Sequence, residues 1–316
     1  MARRGITASA VALVLVLAAA GPAGAVSQAP AYRGDFPDPS VLRLGTTYWA
    51  YSTGSAGRNL QVMSSSDLRT WSPPTDPLPV LPAWAQGGFT WAPSVLQQGS
   101  TFLMYYTVRN AAWGRQCVSV ATSTTASGPF QDTSSGPLVC QLDRYGSIDP
   151  DPFVAPTGGR YLLWKSEDNA GGRPTQLWSQ QLSVDGRSLV GTPVVLLGQD
   201  RSWQAPAIEG PSMVASGGSY YLFYGAGAWD SATAAIGYAR CFSPLGPCFN
   251  ASTSRPWVAS HGEAVGPSGP DIFVDATGLT RIAYHAWTGA VGYQNGGVRS
   301  LWIDGVSFVN GRPVLT

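Results

Sequence analysis

Five apolar runs of similar build recur along the chain: "TYWAYS" from Thr47, "TFLMYYT" from Thr101, "RYLLWKS" from Arg160, "YYLFYG" from Tyr220 and "RIAYHAW" from Arg281. Each is short, rich in aromatic residues and bounded by Gly, Ser, Thr or Pro, the pattern of a strand between turns. A further strand follows each run, in "LQVMSS", "VSVATS", "LWSQQL", "IGYARC" and "VRSLWI". No segment sustains a helical period. Prolines set the register: Pro39, Pro93, Pro152, Pro211 and Pro270 stand at intervals of 54, 59, 59 and 59 residues. A glycine follows the first four by six residues, at Gly45, Gly99, Gly158 and Gly217, while the fifth copy slips by two, to Gly278. Five copies of a three- or four-stranded unit predict an all-β fold, a five-bladed β-propeller with a central active-site channel. The first strand of each unit is expected to line the axis, so that the residues before the prolines converge on one pocket.

Composition narrows the setting. "MARRGITASAVALVLVLAAAGPAGA" has a basic start at Arg3 and Arg4, an apolar stretch from Ile6 to Ala20 and the small residues Ala23, Gly24 and Ala25. That is the pattern of a secretory signal peptide over residues 1–25, too short for a membrane anchor. Residues 26–316 are then expected to form one secreted, extracellular catalytic propeller, acting as a monomer and making no use of a membrane. The formal charge is +1 and Lys165 is the only lysine, so no basic surface exists for nucleic acid. Four cysteines in an exported chain suggest two disulfides. Proximity favours Cys117–Cys140 and Cys241–Cys248, with spacings that fit neither a zinc site nor a redox motif.

The acids carry the chemistry. Only three of the 18 are glutamates, Glu167, Glu209 and Glu263. Glu209, in "PAIEGPSM", lies among apolar and small residues; desolvation there raises a carboxyl's pKa and suits a general acid. Asp38 and Asp149 occupy similar corners, "FPDPSV" and "SIDPDPFV". One such aspartate is ordinarily a turn residue, but three acids on the rim of one channel point to catalysis.

These corners, with "WAPSV" at Trp91, "IEGPSMV" at Glu209 and the closing "VRSLWIDGVSFVNGRPV", resemble glycoside hydrolase family 43 from about Tyr32 to the C-terminus. The resemblance implies a five-bladed propeller that cleaves α-L-arabinofuranosyl or β-D-xylosyl linkages of plant polysaccharide or oligosaccharide with inversion. It makes Asp38 the general base, Glu209 the general acid and Asp149, ionised beside it, the partner that orients the acid and keeps it protonated. An inverting glycosidase needs just such an acid and base on opposite faces of the sugar. Arg299 resembles the family's substrate-contacting arginine, and Trp91 could form an apolar wall beneath a sugar ring. Asp151 reads as a turn or channel residue, and Asp35 and Asp271 as solvated or turn acids.

His285, in "YHAW", resembles the histidine that faces calcium or a similar ion in arabinan-cleaving members. Imidazole is a common metal ligand, whereas calcium prefers oxygen. No cofactor is expected for the chemistry, with a structural calcium in the channel as the one metal to test. Several β-D-xylosidases of the family carry a histidine at the start of the fifth blade, where this chain reads "GPSGPD", which favours the arabinosidase reading over that rival. Sucrose- and fructan-cleaving propellers have different corner motifs. A non-catalytic sugar-binding propeller would not need all three acids.

Overall fold

The computed structural model describes residue 1 and residues 26–316; the signal-peptide reading over 1–25 falls almost wholly outside the described residues. Strands dominate, joined by turns and a few single-turn 3₁₀ helices, and among the described residues there is no α-helix. No helix among them is long and apolar enough to cross a membrane. Five antiparallel sheets follow in chain order. Blade I holds β1 (Ser40–Leu44), β2 (Thr47–Thr53) and β3 (Leu60–Ser65), and blade II holds β4 (Ala85–Gln98), β5 (Thr101–Asn110) and β6 (Arg115–Ser123). Blade III has β7 (Ser147–Val154), β8 (Arg160–Ser166), β9 (Gln176–Leu182) and β10 (Leu189–Gly198). Blade IV has β11 (Ile208–Ser216), β12 (Ser219–Ala226), β13 (Ala235–Cys241) and β14 (Cys248–Asn250). Blade V has β15 (Val265–Val274), β16 (Thr280–Thr288), β17 (Val298–Val309) and β18 (Arg312–Leu315).

The first strands touch one another in a ring, β1 to β4 to β7 to β11 to β15 and back to β1, so they surround the axis as expected. The second strands are buried on both faces because each blade is packed between two others. That is why β12 and β16 read as near-continuous apolar runs rather than alternating ones. Five hydrophobic clusters fill the five interfaces between blades. Tyr51, Leu60 and Tyr106 join blades I and II; Tyr105, Val118 and Trp164 join II and III. Leu163, Ile208 and Leu222 join III and IV, Ile236, Ile282 and Trp302 join IV and V, and Phe36, Val41 and Leu301 join V and I. Burying one such side chain contributes about 1.5–3 kcal/mol. The last interface closes the circle, and the entering chain reinforces it: Ala31 and Tyr32 bond to the backbone of Leu301, and Phe36 to that of Arg299. Both expected disulfides, Cys117–Cys140 and Cys241–Cys248, are present.

One detail of the repeat is corrected. The residues Asp38, Ala92, Asp149, Gly210 and Gly269 all have left-handed backbone, with φ of 52°, 43°, 56°, 54° and 59°. Each precedes a proline, so the third copy starts at Pro150 and not at Pro152. Cross-strand pairing agrees: Ser40 pairs with Tyr51, Ser94 with Tyr105, Asp151 with Leu163, Ser212 with Phe223 and Asp271 with Ala283. The "DPDP" sequence offers two prolines, and the longer hairpin of blade III made the second one match the glycine count. With Pro150 in register, blades III and V both place their glycine at plus eight, at Gly158 and Gly278.

Candidate active site

The five corners define the floor of the channel. A left-handed conformation costs an L-residue roughly 1–2 kcal/mol, and a following proline restricts it further. Glycine avoids the cost at Gly210 and Gly269, and at Gly269 a Cβ would also stand 2.8 Å from His285 Nδ1. Asp38 and Asp149 occupy the same conformation with a full side chain, so the surroundings must hold them there. The holding groups come from the second strand of the preceding blade. His285 on β16 accepts the Asp38 amide through Nδ1 at 3.0 Å, Thr53 on β2 accepts the Ala92 amide at 2.9 Å, and Thr107 on β5 accepts the Asp149 amide at 3.0 Å. Glu209 is not in register with the two aspartates. It lies one residue before its corner, where blade II has Trp91 and blade III Ile148.

The five corners, Thr53, Trp91, Ile148 and Glu209 line one cavity of about 420 Å³, together with Lys165, Glu167, Asn169, Trp229 and Arg299. Asp38 receives the Thr53 hydroxyl on Oδ2 at 2.6 Å, and Arg299 Nη1 lies 3.6 Å from Oδ1. Burial alone would raise the Asp38 carboxyl; the Arg299 guanidinium and the Thr53 hydrogen bond overcome it and hold the group below its ordinary value. Burial pushes His285 down to about 3, so the ring is neutral at ordinary pH and adds no charge there. Arg299 is fixed on several sides. Its Nε donates to Tyr293 Oη at 3.0 Å, its guanidinium lies 4.9 Å over Trp229, and its amide donates to Asp35 Oδ1.

Across the channel, Asp149 accepts the amide of Gly210 on Oδ2 at 3.0 Å and so pins the corner that carries Glu209. Burial first, and the Glu209 charge second, push Asp149 up to about 8. Glu209 is also raised, by burial, against the pull of Lys165. The pair therefore holds a proton through neutral pH, and Asp149 is not the simple ionised partner expected. An ionised carboxylate on one side and a proton-bearing pair on the other are the elements of acid–base chemistry.

Two readings from sequence are revised. Glu209 is not free of charged neighbours: Lys165 Nζ is 3.5 Å from Oε2, and Glu167 Oε1 is 3.0 Å from the same Nζ. Asp271 is no solvated turn acid. It is buried against the same cavity, accepts the Val41 amide at 2.8 Å and is pushed up to about 7 by burial. Asp151, read as a turn or channel residue, also lines the cavity, its Oδ2 taking the Met213 amide. Lys165 could have been found from the repeat, since Thr53, Thr107, Lys165, Gly225 and His285 each follow their corner by fifteen or sixteen residues.

His285 tests the metal expectation. With Nδ1 accepting the Asp38 amide, the neutral ring carries its proton on Nε2, the buried nitrogen that has no partner among the described residues. A protonated nitrogen does not ligate a cation. No group of three or more His, Cys, Asp or Glu side chains suited to a metal occurs among the described residues. The residues present do not fit calcium as a protein-built site, and no step below uses one.

Strands wound into five blades, with carboxyls facing one another across the axial cavity, make a propeller glycoside hydrolase. The model for glycosyl hydrolases family 43 matches residues 27–313, and the chain belongs to that family, an inverting glycoside hydrolase. It is 25% identical over 302 residues to the extracellular endo-α-(1→5)-L-arabinanase 1 of Bacillus subtilis strain 168, covering 87% of this chain and 86% of that one. It is 28% identical over 258 residues to the β-D-galactofuranosidase xynD of Aspergillus niger, covering 76% and 69%. The crystal structure of a thermostable family-43 glycoside hydrolase superposes with a TM-score of 0.81 at 26% identity, over 93% of this chain and 95% of the other.

Proposed function

We propose that the protein is a secreted hydrolase of α-L-arabinofuranosyl linkages in plant cell-wall arabinan or arabinoxylan. It acts as a monomer, with residues 26–316 as its one catalytic domain once residues 1–25 are removed as a signal peptide. The observation that carries the reading is the placement of Asp38, Asp149 and Glu209, from three blades, around one cavity with their proton affinities split. Relatives named for arabinanase and galactofuranosidase activity support a five-membered sugar ring as the substrate.

Asp38, held ionised, takes a proton from water as the water oxygen attacks the anomeric carbon. The bond to the departing oxygen breaks on the opposite face, and Glu209 gives that oxygen its proton. Asp149 fixes the Glu209 corner through the Gly210 amide, while Arg299 keeps Asp38 charged and Trp91 walls the sugar. A proton donor matters most when the leaving oxygen belongs to a sugar and least when it belongs to an acidic phenol.

The test compares aryl arabinofuranoside, aryl xyloside and debranched arabinan, with Glu209→Gln and Asp38→Asn beside the wild type. Arabinofuranosyl substrates should turn over fastest. Glu209→Gln should lose about 10²–10⁴-fold on arabino-oligosaccharide and far less on the aryl glycoside, whereas Asp38→Asn should fail on both. Preference for the xyloside would overturn the substrate, and equal losses for Glu209→Gln would remove it as the donor.

A further inference from the structure

The chain's only lysine is buried in the active site. Lys165 is 1% exposed, and its ammonium lines the cavity beside Glu209. A lysine is almost never fully buried unless it is paired, because the desolvation of its charge is costly. Its place in the repeat shows what it does not do. In blades I, II and V the equivalent residue, Thr53, Thr107 or His285, accepts the amide of the next corner. Lysine has three donors and no acceptor. The amide it would have held, that of Gly210, goes to Asp149 instead. Lys165 therefore leaves the structural pattern of its ring and presents a charge, 3.0 Å from Glu167 Oε1 and 3.5 Å from Glu209 Oε2.

We propose that Lys165 and Glu167 are a positioning pair for the proton donor: Lys165 aims the Glu209 carboxyl and stabilises the carboxylate left after proton transfer, and Glu167 tempers the lysine so that Glu209 still has a proton to give. The proposal rests on Glu209 being the donor. In that step the O–H bond of Glu209 breaks as its proton passes to the glycosidic oxygen, which leaves the anomeric carbon with the bonding electron pair. The new carboxylate then faces the ammonium. A fixed cation opposite a charge that appears during reaction lowers the barrier without reorganisation. The same cation unshared would strip the proton from Glu209 beforehand. Glu167, the nearer of the two carboxylates to Nζ, takes up part of its charge.

The other charges around Glu209 are accounted for. β7 brings Asp149 and, two residues on, Asp151; the corner before β1 brings Asp38. On β15, Asp271 is engaged with the Val41 amide. β9 carries no charged residue, and β12 offers no titratable side chain beyond tyrosines. Only the Lys165–Glu167 pair is left to adjust the donor.

With three glutamates in the chain, carbon-13 carboxyl labelling of glutamate reads the titration of Glu209 directly, whether or not Glu209 is the donor. Spectra of Glu167→Gln and Glu263→Gln assign the signals. The Glu209 midpoint should fall in Glu167→Gln, rise in Lys165→Met, and in the double variant lie between the wild type and Lys165→Met. The alkaline limb of kcat/KM should move with it. Where Lys165→Met alone does not fold, the double variant, which leaves no buried unpaired charge, and Glu167→Gln decide the matter. A Glu209 midpoint in Glu167→Gln equal to or above that of the wild type overturns the proposal. An alkaline limb unmoved while the Glu209 signal shifts as expected would instead strike at Glu209 as the donor, on which the proposal depends.

Discussion

At the scale of single residues, the two corner aspartates differ through their neighbours rather than their depth. Asp38 and Asp149 share the same kind of corner, a backbone conformation and a half-buried setting, yet one is held below the ordinary carboxylate value and the other is pushed to about 8. Arg299 makes the difference, and its own placement depends on Tyr293 and Trp229, half-exposed rings at the channel mouth. Tyr293→Phe keeps the ring and deletes only the hydroxyl that accepts from Arg299 Nε. The guanidinium is then less firmly fixed beside Asp38, and the carboxyl rises toward its ordinary value. The acidic limb of kcat/KM should move to higher pH, with activity on that limb falling roughly twofold to fivefold and little change at neutral pH. A pH profile superimposable on the wild type would show that Arg299 needs no help from Tyr293.

At the scale of elements, the unit of construction is a corner on a first strand, held by a side chain from the second strand of the blade before it. Thr107→Val tests that unit. Valine keeps the shape of a fully buried side chain but leaves the Asp149 amide without its acceptor. An unsatisfied buried donor costs about 1–3 kcal/mol, so the urea midpoint should drop accordingly and activity with it, as Asp149 loses its aim. A Thr107→Val protein as stable and active as the wild type would mean that the threonine holds nothing. The five-fold repeat was legible in the sequence because a blade packed on both sides demands the same apolar second strand and the same proline corner each time. Asp38, Asp149 and Glu209 were legible for that reason, as acids on a repeating rim. The third corner was misplaced because "DPDP" supplies two prolines, and only strand pairing tells which one turns the chain. Lys165 and Asp271 were missed for a different cause. Each sits within an apolar strand, "RYLLWKS" or "GPDIFV", and what it faces is set by other blades far away in sequence.

At the scale of the whole molecule, the five first strands carry a polar girdle two residues past their corners, and it gives the propeller a pH dependence of its own. Each link ties one blade to the next: Ser40 bonds Ser94, Asp151 takes the Met213 amide, Ser212 the Ile272 amide and Asp271 the Val41 amide. Two of the five members are carboxyls, Asp271 buried and Asp151 half-buried, and Asp271 adds to the upward push that desolvation gives Asp151. With Asp149 at about 8 and Asp271 at about 7, against 3.8 for an ordinary aspartate, the folded chain keeps protons that the unfolded chain gives up. For acids raised on folding, stability is full below the unfolded value and is lost as pH rises through the folded one. Asp275 acts in the opposite sense. Hydrogen bonds from Thr277 and Arg281 outweigh its burial and hold it at about 2, so its contribution is lost in acid. Stability should therefore peak in mildly acidic solution and decline between about pH 4 and 8. Asp271→Asn keeps a carbonyl oxygen for the Val41 amide and removes one of the titrating protons. Denaturant midpoints measured across that range should fall less steeply for Asp271→Asn than for the wild type, the two curves parting most between the ordinary aspartate value and about 7. Curves that stay parallel throughout would show that the proton on Asp271 plays no part in holding the fifth blade to the first.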